Sequence, residues 1–140
     1  MNYDKMIEQI KADEGEKLTV YRCTEGFNTI GFGRNLDTNG ISHDEAQYLL
    51  MNDLTRLEAR MVKSNMFIGD HNDARKAVLY NMAYQLGFNG MFKFKKMLNA
   101  YYDHDYRTAA EEMLNSKWAV QTPKRAKRLA EQMLTGEWYE

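Results

Sequence analysis

The hydrophobic period of this chain changes twice within its first third, from about 3.6 residues to 2 and back again. Tyr3, Met6, Ile7 and Ile10 fall at helical spacing, and Gly15 is a natural stop just after Glu14. Leu18-Thr19-Val20-Tyr21 is then a β-favouring run, and Thr24-Glu25-Gly26 is turn chemistry. Phe27-Asn28-Thr29-Ile30-Gly31-Phe32-Gly33 alternates apolar residues with small or polar ones, as a half-buried strand does. Gly31 and Gly33 leave room for another backbone or a ligand to come close. A tight antiparallel hairpin after a short helix is the reading that satisfies all of this.

From Asp37-Thr38-Asn39-Gly40 onward the pattern is helical. Ser42 and Glu45 have the spacing of a capping box, in which the Ser oxygen takes the N3 amide and the Glu reaches back. Ala46, Leu49, Leu50, Leu54, Leu57 and Met61 continue it as a long apolar stripe, so the helix should run to about Lys63. A second stripe runs from Ala74 to Leu86 and stops at Gly87. Shorter helices are expected over Met91–Leu98 and Tyr106–Leu114. The last helix should start with Thr122 as N-cap and Pro123 at N1, and end at Gly136. The expected class is α+β, with a small three-stranded antiparallel sheet lobe (about 14–40) joined by a long helix to a helical bundle lobe. That second lobe should span about 64–140 and include the N-terminal helix. A cleft between two such lobes is a usual place for a ligand.

A chain of 140 residues with 44% hydrophobic content can bury a core without disulfides or metals. The single cysteine rules out an internal disulfide and fits a reducing compartment. The first residues hold no apolar h-region, so no cleavable signal peptide is expected, and no apolar run approaches the length of a membrane span. Net charge is -1, so bulk electrostatics selects no partner. Lys117, Lys124, Arg125, Lys127 and Arg128 make the C-terminal part locally basic, most simply as a solvated helix face. The ten methionines read as core filler.

Glu14, Cys23 and Thr29 are the candidates for chemistry. Hydrolysis of a glycosidic bond needs a proton for the leaving oxygen and a nucleophile or activated water at the anomeric carbon. Glu14 is the candidate acid, placed where the negative end of a helix dipole disfavours its ionised form. Thr29 can hold a water, because a hydroxyl both donates and accepts. Cys23 can orient or deprotonate that water, which gives inversion. It can also attack directly and form a thioglycosyl intermediate, which gives retention. A thiol at its free pKa of about 8.5 is mostly protonated at neutral pH, so the first route needs that value lowered.

The spacing of Glu14, eight residues, Cys23, five residues, Thr29 resembles the catalytic stretch of the phage-type (T4-like) lysozymes. Their pattern has Asp, and sometimes Cys, at the second position. The neighbouring words agree: Asp13-Glu14-Gly15, Thr24-Glu25-Gly26 and Thr29-Ile30-Gly31-Phe32-Gly33. So do Asn81-Met82-Ala83-Tyr84-Gln85-Leu86-Gly87, Trp118, Gln121-Thr122-Pro123, Arg125-Ala126-Lys127-Arg128 and Thr135-Gly136-Glu137-Trp138. The resemblance covers nearly the whole chain in order.

It implies a lysozyme-like fold and a muramidase that cuts the β-1,4 bond from N-acetylmuramic acid to N-acetylglucosamine in peptidoglycan. It also implies a monomeric endolysin that waits in the host cytoplasm until a holin opens the inner membrane, then acts on the periplasmic wall. Glu14, Cys23 and Thr29 then map to the three catalytic positions. Asn35, Tyr84, Gln85 and Arg125 map to substrate contacts, with Arg125 matching an arginine that lies close to the acid in relatives. Trp118 is expected to pack between helices. No cofactor, metal, nucleic acid or membrane insertion is expected.

Three departures stand out. Cys23 replaces the commoner Asp. Arg34 stands where close relatives often carry His. The segment between Leu36 and Ile41 is short, which trims the sheet lobe beside Asn35 and opens the cleft. The competing reading is a catalytically silent module that binds peptidoglycan. Wall disruption by the basic C-terminal helix ranks behind it, because Glu131 and Glu137 interrupt the basic face.

Overall fold

A computed structural model of the chain describes residues 1–66 and 69–139. Backbone contacts divide it into two compact units, Met1–Leu49 and Leu50 onward. The first unit holds α1 (Tyr3–Glu14), β1 (Lys17–Arg22), β2 (Asn28–Gly31), β3 (Arg34–Asn35) and α2 (Leu36–Asn39). The 21-residue α3 (His43–Lys63) starts there and runs into the second unit. The second holds α4 (Asp73–Phe92), α5 (Lys95–Tyr102), α6 (Tyr106–Leu114), α7 (Lys117–Gln121) and α8 (Pro123–Thr135). The class is α+β, as the sequence implies. Among the described residues no helix is long and apolar enough to cross a membrane.

The sheet is antiparallel in the order β1-β2-β3. Its register sets Thr29 of β2 between Tyr21 of β1 and Asn35 of β3. Residues opposite one another in such a ladder share a face, so this register gathers polar groups on one side of the sheet. Thr29 is the one buried residue of the first unit among those described.

The Ser42–Glu45 capping box is present: Glu45 N–H donates to Ser42 Oγ at 3.1 Å, and Ser42 N–H donates to Glu45 Oε1 at 2.9 Å. The same carboxylate also takes two bonds from Arg34, at 3.0 and 2.8 Å, and Arg34 reaches the Gly40 carbonyl at 3.1 Å. One Glu thus caps α3 and ties β3 to it. The Ser42 groups and the Arg34 guanidinium together hold the Glu45 carboxyl down at about 2, from an ordinary 4.5. A depressed carboxyl contributes stability that is complete above its unfolded value and fades as pH falls toward its folded value. Glu45→Gln should therefore melt below the parent at pH 7. The gap should close between about pH 4.5 and pH 2, as followed by circular dichroism; a gap unchanged at pH 2 would remove this pair from the acid response.

The core lies in the second unit, where α6 and α7 pack on α8, α5 packs on α6 and α4 packs on α8. Seven of the ten methionines are buried there: Met61, Met66, Met82, Met91, Met97, Met113 and Met133. They surround Tyr101, Leu79 and Leu129, all essentially inaccessible. Full burial of a side chain of this size contributes about 1.5–3 kcal/mol. His71 is buried too, stacked between the Tyr101 and His104 rings at 3.8 and 4.3 Å, with Nδ1 2.8 Å from the Tyr106 hydroxyl.

Three helical expectations need correction. Gly87 does interrupt the second stripe, at φ 79° and ψ 158°, but α4 resumes beyond it to Phe92. Met91 therefore ends α4 rather than opening α5, whose N-cap is Phe94. Thr122 stands at the N-cap of α8, yet its hydroxyl donates back to the Trp118 carbonyl at 3.0 Å and caps no amide of α8. That bond closes α7, a five-residue helix that the sequence pattern does not announce.

Candidate active site

Strand β1 ends at Arg22, and Cys23 begins the turn. The Cys23 N–H donates to the Phe27 carbonyl at 2.9 Å, and the Gly26 N–H donates to the Cys23 carbonyl at 2.8 Å. Gly26 closes this tight turn at φ 84°, which a residue with a Cβ rarely adopts. The turn aims backbone amides at the sulfur. The Phe27 amide, then that of Glu25, holds the Cys23 thiol below its ordinary value of 9.0, and the Thr29 hydroxyl helps. Desolvation, which outweighs the Thr29 contribution, and then the Glu25 charge oppose the two amides with less weight. Local geometry thus shifts the thiol in the direction that a thiol base needs.

Thr29 sits next to this sulfur and is 3% exposed. Its hydroxyl donates to the Phe27 carbonyl at 2.9 Å. It carries one proton, so it serves that carbonyl or the sulfur at any moment. Asn35, directly opposite Thr29 on β3, is half-buried. Its Oδ1 accepts the Thr38 N–H at 3.1 Å and caps α2, so the group it has left to offer is its amide N–H donors.

Glu14 is the last residue of α1 and is exposed. Its carboxylate rests on the bare backbone of Gly33: a Cβ there would lie 2.8 Å from Glu14 Cδ and closer still to Oε2. Gly33 also has φ 76°. Of the two strand glycines, the one that admits a close neighbour is Gly33, and the neighbour is Glu14; nothing crowds Gly31. The first unit thus brings the Cys23 side chain, from the turn, and Asn35, from β3, to Thr29, and seats Glu14 on the β2–β3 turn.

The second unit presents the other predicted contacts. Arg125 is locked by Asn81: Nε and Nη2 donate to Asn81 Oδ1 at 2.9 and 2.6 Å, and Nη2 also reaches the Asn81 carbonyl at 3.3 Å. Tyr84, Asn81 and Arg125 line one small concavity of about 260 Å³. Tyr84 is 48% exposed, so its ring belongs to the surface and not to the core. Gln85 points elsewhere, its Oε1 accepting the Trp118 Nε1–H at 2.9 Å. Trp118 is buried and meets Phe94 edge-on, which is the packing role expected of it.

Sequence reasoning missed three contributors. The Phe27 amide has no side-chain signature. Gly33 was visible only as a place of close approach. Asn81 opens the Asn81–Gly87 word, and a polar amide on an otherwise apolar helical stripe was the available signal.

Comparison with known proteins identifies the family of this chain. The family model described as phage lysozyme matches residues 11–133. Probable T4-type lysozyme 1 of Dictyostelium discoideum is 31% identical over 92% of this chain and 93% of its own length. The pre-baseplate central spike protein Gp5 of Enterobacteria phage T4 is 33% identical over 94% of this chain, which matches 28% of that protein. Peptidoglycan hydrolase gp36 of Pseudomonas phage phiKMV is 26% identical over 94% of this chain and 15% of that protein. With the family match running from within α1 into α8, this chain belongs to the phage lysozyme family.

Proposed function

We propose that this protein is a peptidoglycan hydrolase, a muramidase that cuts the β-1,4 bond from N-acetylmuramic acid to N-acetylglucosamine. The observation that carries the reading is the hairpin, where the Cys23 thiol, approached by the Phe27 and Glu25 amides, stands beside the buried Thr29 hydroxyl. Glu14 on Gly33 supplies the carboxyl of the same unit. The phage lysozyme family match supports the reaction class, and the peptidoglycan hydrolase among the relatives supports the wall as substrate.

Glu14 protonates the leaving glycosidic oxygen. The Cys23 thiolate takes a proton from a water held by Thr29, and that water attacks the anomeric carbon from the opposite face. Net, one water is consumed, and the proton gained by Cys23 passes through solvent to Glu14, which restores the thiolate and the acid. Tyr84 offers an aromatic face to a sugar ring and Arg125 beside it a charged donor, while in the first unit Asn35 offers an amide donor. The biological role in this reading is host lysis by a monomer that a holin releases from the cytoplasm to the periplasmic wall.

Mass spectrometry of sacculi digested by the purified protein tests the reading. Soluble muropeptides with N-acetylmuramic acid at the reducing end are expected. Products ending in N-acetylglucosamine, or products cut at peptide amides, would overturn the bond assignment.

A further inference from the structure

Asp37 on α2 is bonded to the hairpin, yet the hydrolytic steps give it no part. Its Oδ2 accepts the Asn28 N–H at 2.8 Å, and its Oδ1 accepts the Asn28 side-chain amide at 3.3 Å. The topology explains the need. Pairing of β2 with β3 ends at Thr29 and Asn35, because the chain turns helical at Leu36. The Asn28 N–H, one residue further along β2, meets no strand carbonyl there, and the Asp37 carboxylate takes it instead. A hydrogen bond to an ionised acceptor is about twice as strong as a neutral one.

The Asn28 N–H belongs to the same peptide group as the Phe27 carbonyl. That carbonyl accepts the Cys23 N–H and the Thr29 hydroxyl, each at 2.9 Å, which fills both its lone pairs. A peptide whose N–H donates to a carboxylate carries more negative charge on its oxygen, because hydrogen bonds in series polarise one another. The Thr29 proton has two destinations, this carbonyl and the Cys23 sulfur. Asp37 favours the carbonyl. The Thr29 oxygen can then accept one water hydrogen while the thiolate accepts the other, and the water's lone pair is left for the anomeric carbon. With the Thr29 proton turned to the sulfur, the water loses one acceptor and the thiolate loses basicity. The other titratable groups around this peptide hold different places. Tyr21 and Arg22 of β1 lie opposite Thr29 and Asn28, Glu25 sits in the turn, Glu14 rests on Gly33, and Arg34 of β3 is held by Glu45.

We propose that Asp37 is a positioning residue for the hydrolytic water: by holding the Asn28 N–H it keeps the Thr29 proton on the Phe27 carbonyl and presents the Thr29 oxygen to the water as an acceptor. It acts through Thr29. The proposal rests on the wall-hydrolase reading, and the two can fail separately.

Cys23 is the only cysteine in the chain, so its rate of alkylation by iodoacetamide against pH, followed by intact mass, reads the thiolate without any turnover. Asp37→Asn releases the Thr29 proton to the sulfur, and a hydrogen bond to the ionised form favours it, so the alkylation midpoint should fall by about half a pH unit. Loss of the Asp37 charge acts in the same direction through space. Thr29→Val separates the two, since it keeps the branched shape of the buried side chain and removes the relay; in that background Asp37→Asn should be nearly without effect. Asn28→Ala, which removes the 3.3 Å bond and keeps the backbone one, should match the parent. On sacculi, Asp37→Asn should lower kcat about tenfold with KM within about twofold, and its acid limb should move down with the midpoint. A lower kcat with an unmoved midpoint, or an equal shift in Asn28→Ala, would reduce Asp37 to a support of the fold. Equal shifts with and without the Thr29 hydroxyl would reduce it to a bare charge. Either result overturns the proposal. No reducing ends from the parent would instead defeat the wall-hydrolase reading, and the midpoints would still report whether Asp37 governs the Thr29 proton.

Discussion

Replacing Glu14 by glutamine is expected to lower kcat on peptidoglycan by about a thousandfold, with KM within about threefold of the parent. Glutamine keeps the shape that rests on Gly33 but has no proton to give the leaving oxygen. A positioned general acid contributes about 10²–10⁴ in rate, and the loss falls on the transition state rather than on binding. The variant should also fold. Glu14 is exposed, it enters none of the ion pairs among the described residues, and it lies at the negative end of the α1 dipole. Removing a negative charge there should leave the melting temperature unchanged or slightly higher. Steady-state kinetics and a melting curve on the same preparation separate lost chemistry from lost structure. Unchanged turnover would remove Glu14 from its role.

The second large effect is expected at Cys23. Cys23→Ala should lower kcat by about a hundredfold or more, because it removes the group that orients and deprotonates the water. Cys23→Ser should be no better, since an alcohol does not ionise in the working range. Cys23→Asp should keep substantial activity, as a carboxylate can take the same proton. The pH profile discriminates further. The ionised thiol is the active form, so the parent's rate should fall as pH drops through the Cys23 value, which the Phe27 and Glu25 amides hold below 9.0. In Cys23→Asp that acid limb should move to lower pH, toward an aspartate's ordinary value of about 3.9. Full activity in Cys23→Ala would reduce the thiol to packing. The first product's anomer, read by NMR on fresh digests, tells the two thiol routes apart: inversion accords with an activated water, retention with a thioglycosyl intermediate.

What the sequence disclosed was local. The change of period located the hairpin, the Ser42–Glu45 spacing located the start of α3, and Gly15, Gly87 and Gly136 marked helix interruptions or ends. Each depends on residues within a turn or two of one another. What it withheld was set by partners far along the chain. Arg34 and Glu45 share a bidentate bond across 11 residues, and Arg125 is locked by Asn81 across 44. Thr122 carries the best N-cap chemistry before Pro123, yet a neighbouring carbonyl claims its hydroxyl. Short helices such as α7 are stabilised by packing and caps, with too few residues to show a period. The same division holds at the site. Glu14, Cys23 and Thr29 were visible by type and spacing, whereas the amides that tune the sulfur and the bare Gly33 backbone under Glu14 emerge only once the turn is built.

The central claim is that this hairpin cuts glycan. Its most direct test is the release of new reducing ends from purified sacculi by the parent and by Glu14→Gln at matched concentration, from mildly acidic to alkaline pH. The account predicts steady release by the parent and almost none by Glu14→Gln, while both proteins still sediment with the sacculi. Binding without reducing ends from the parent at any pH would contradict it and leave a silent peptidoglycan-binding module in its place.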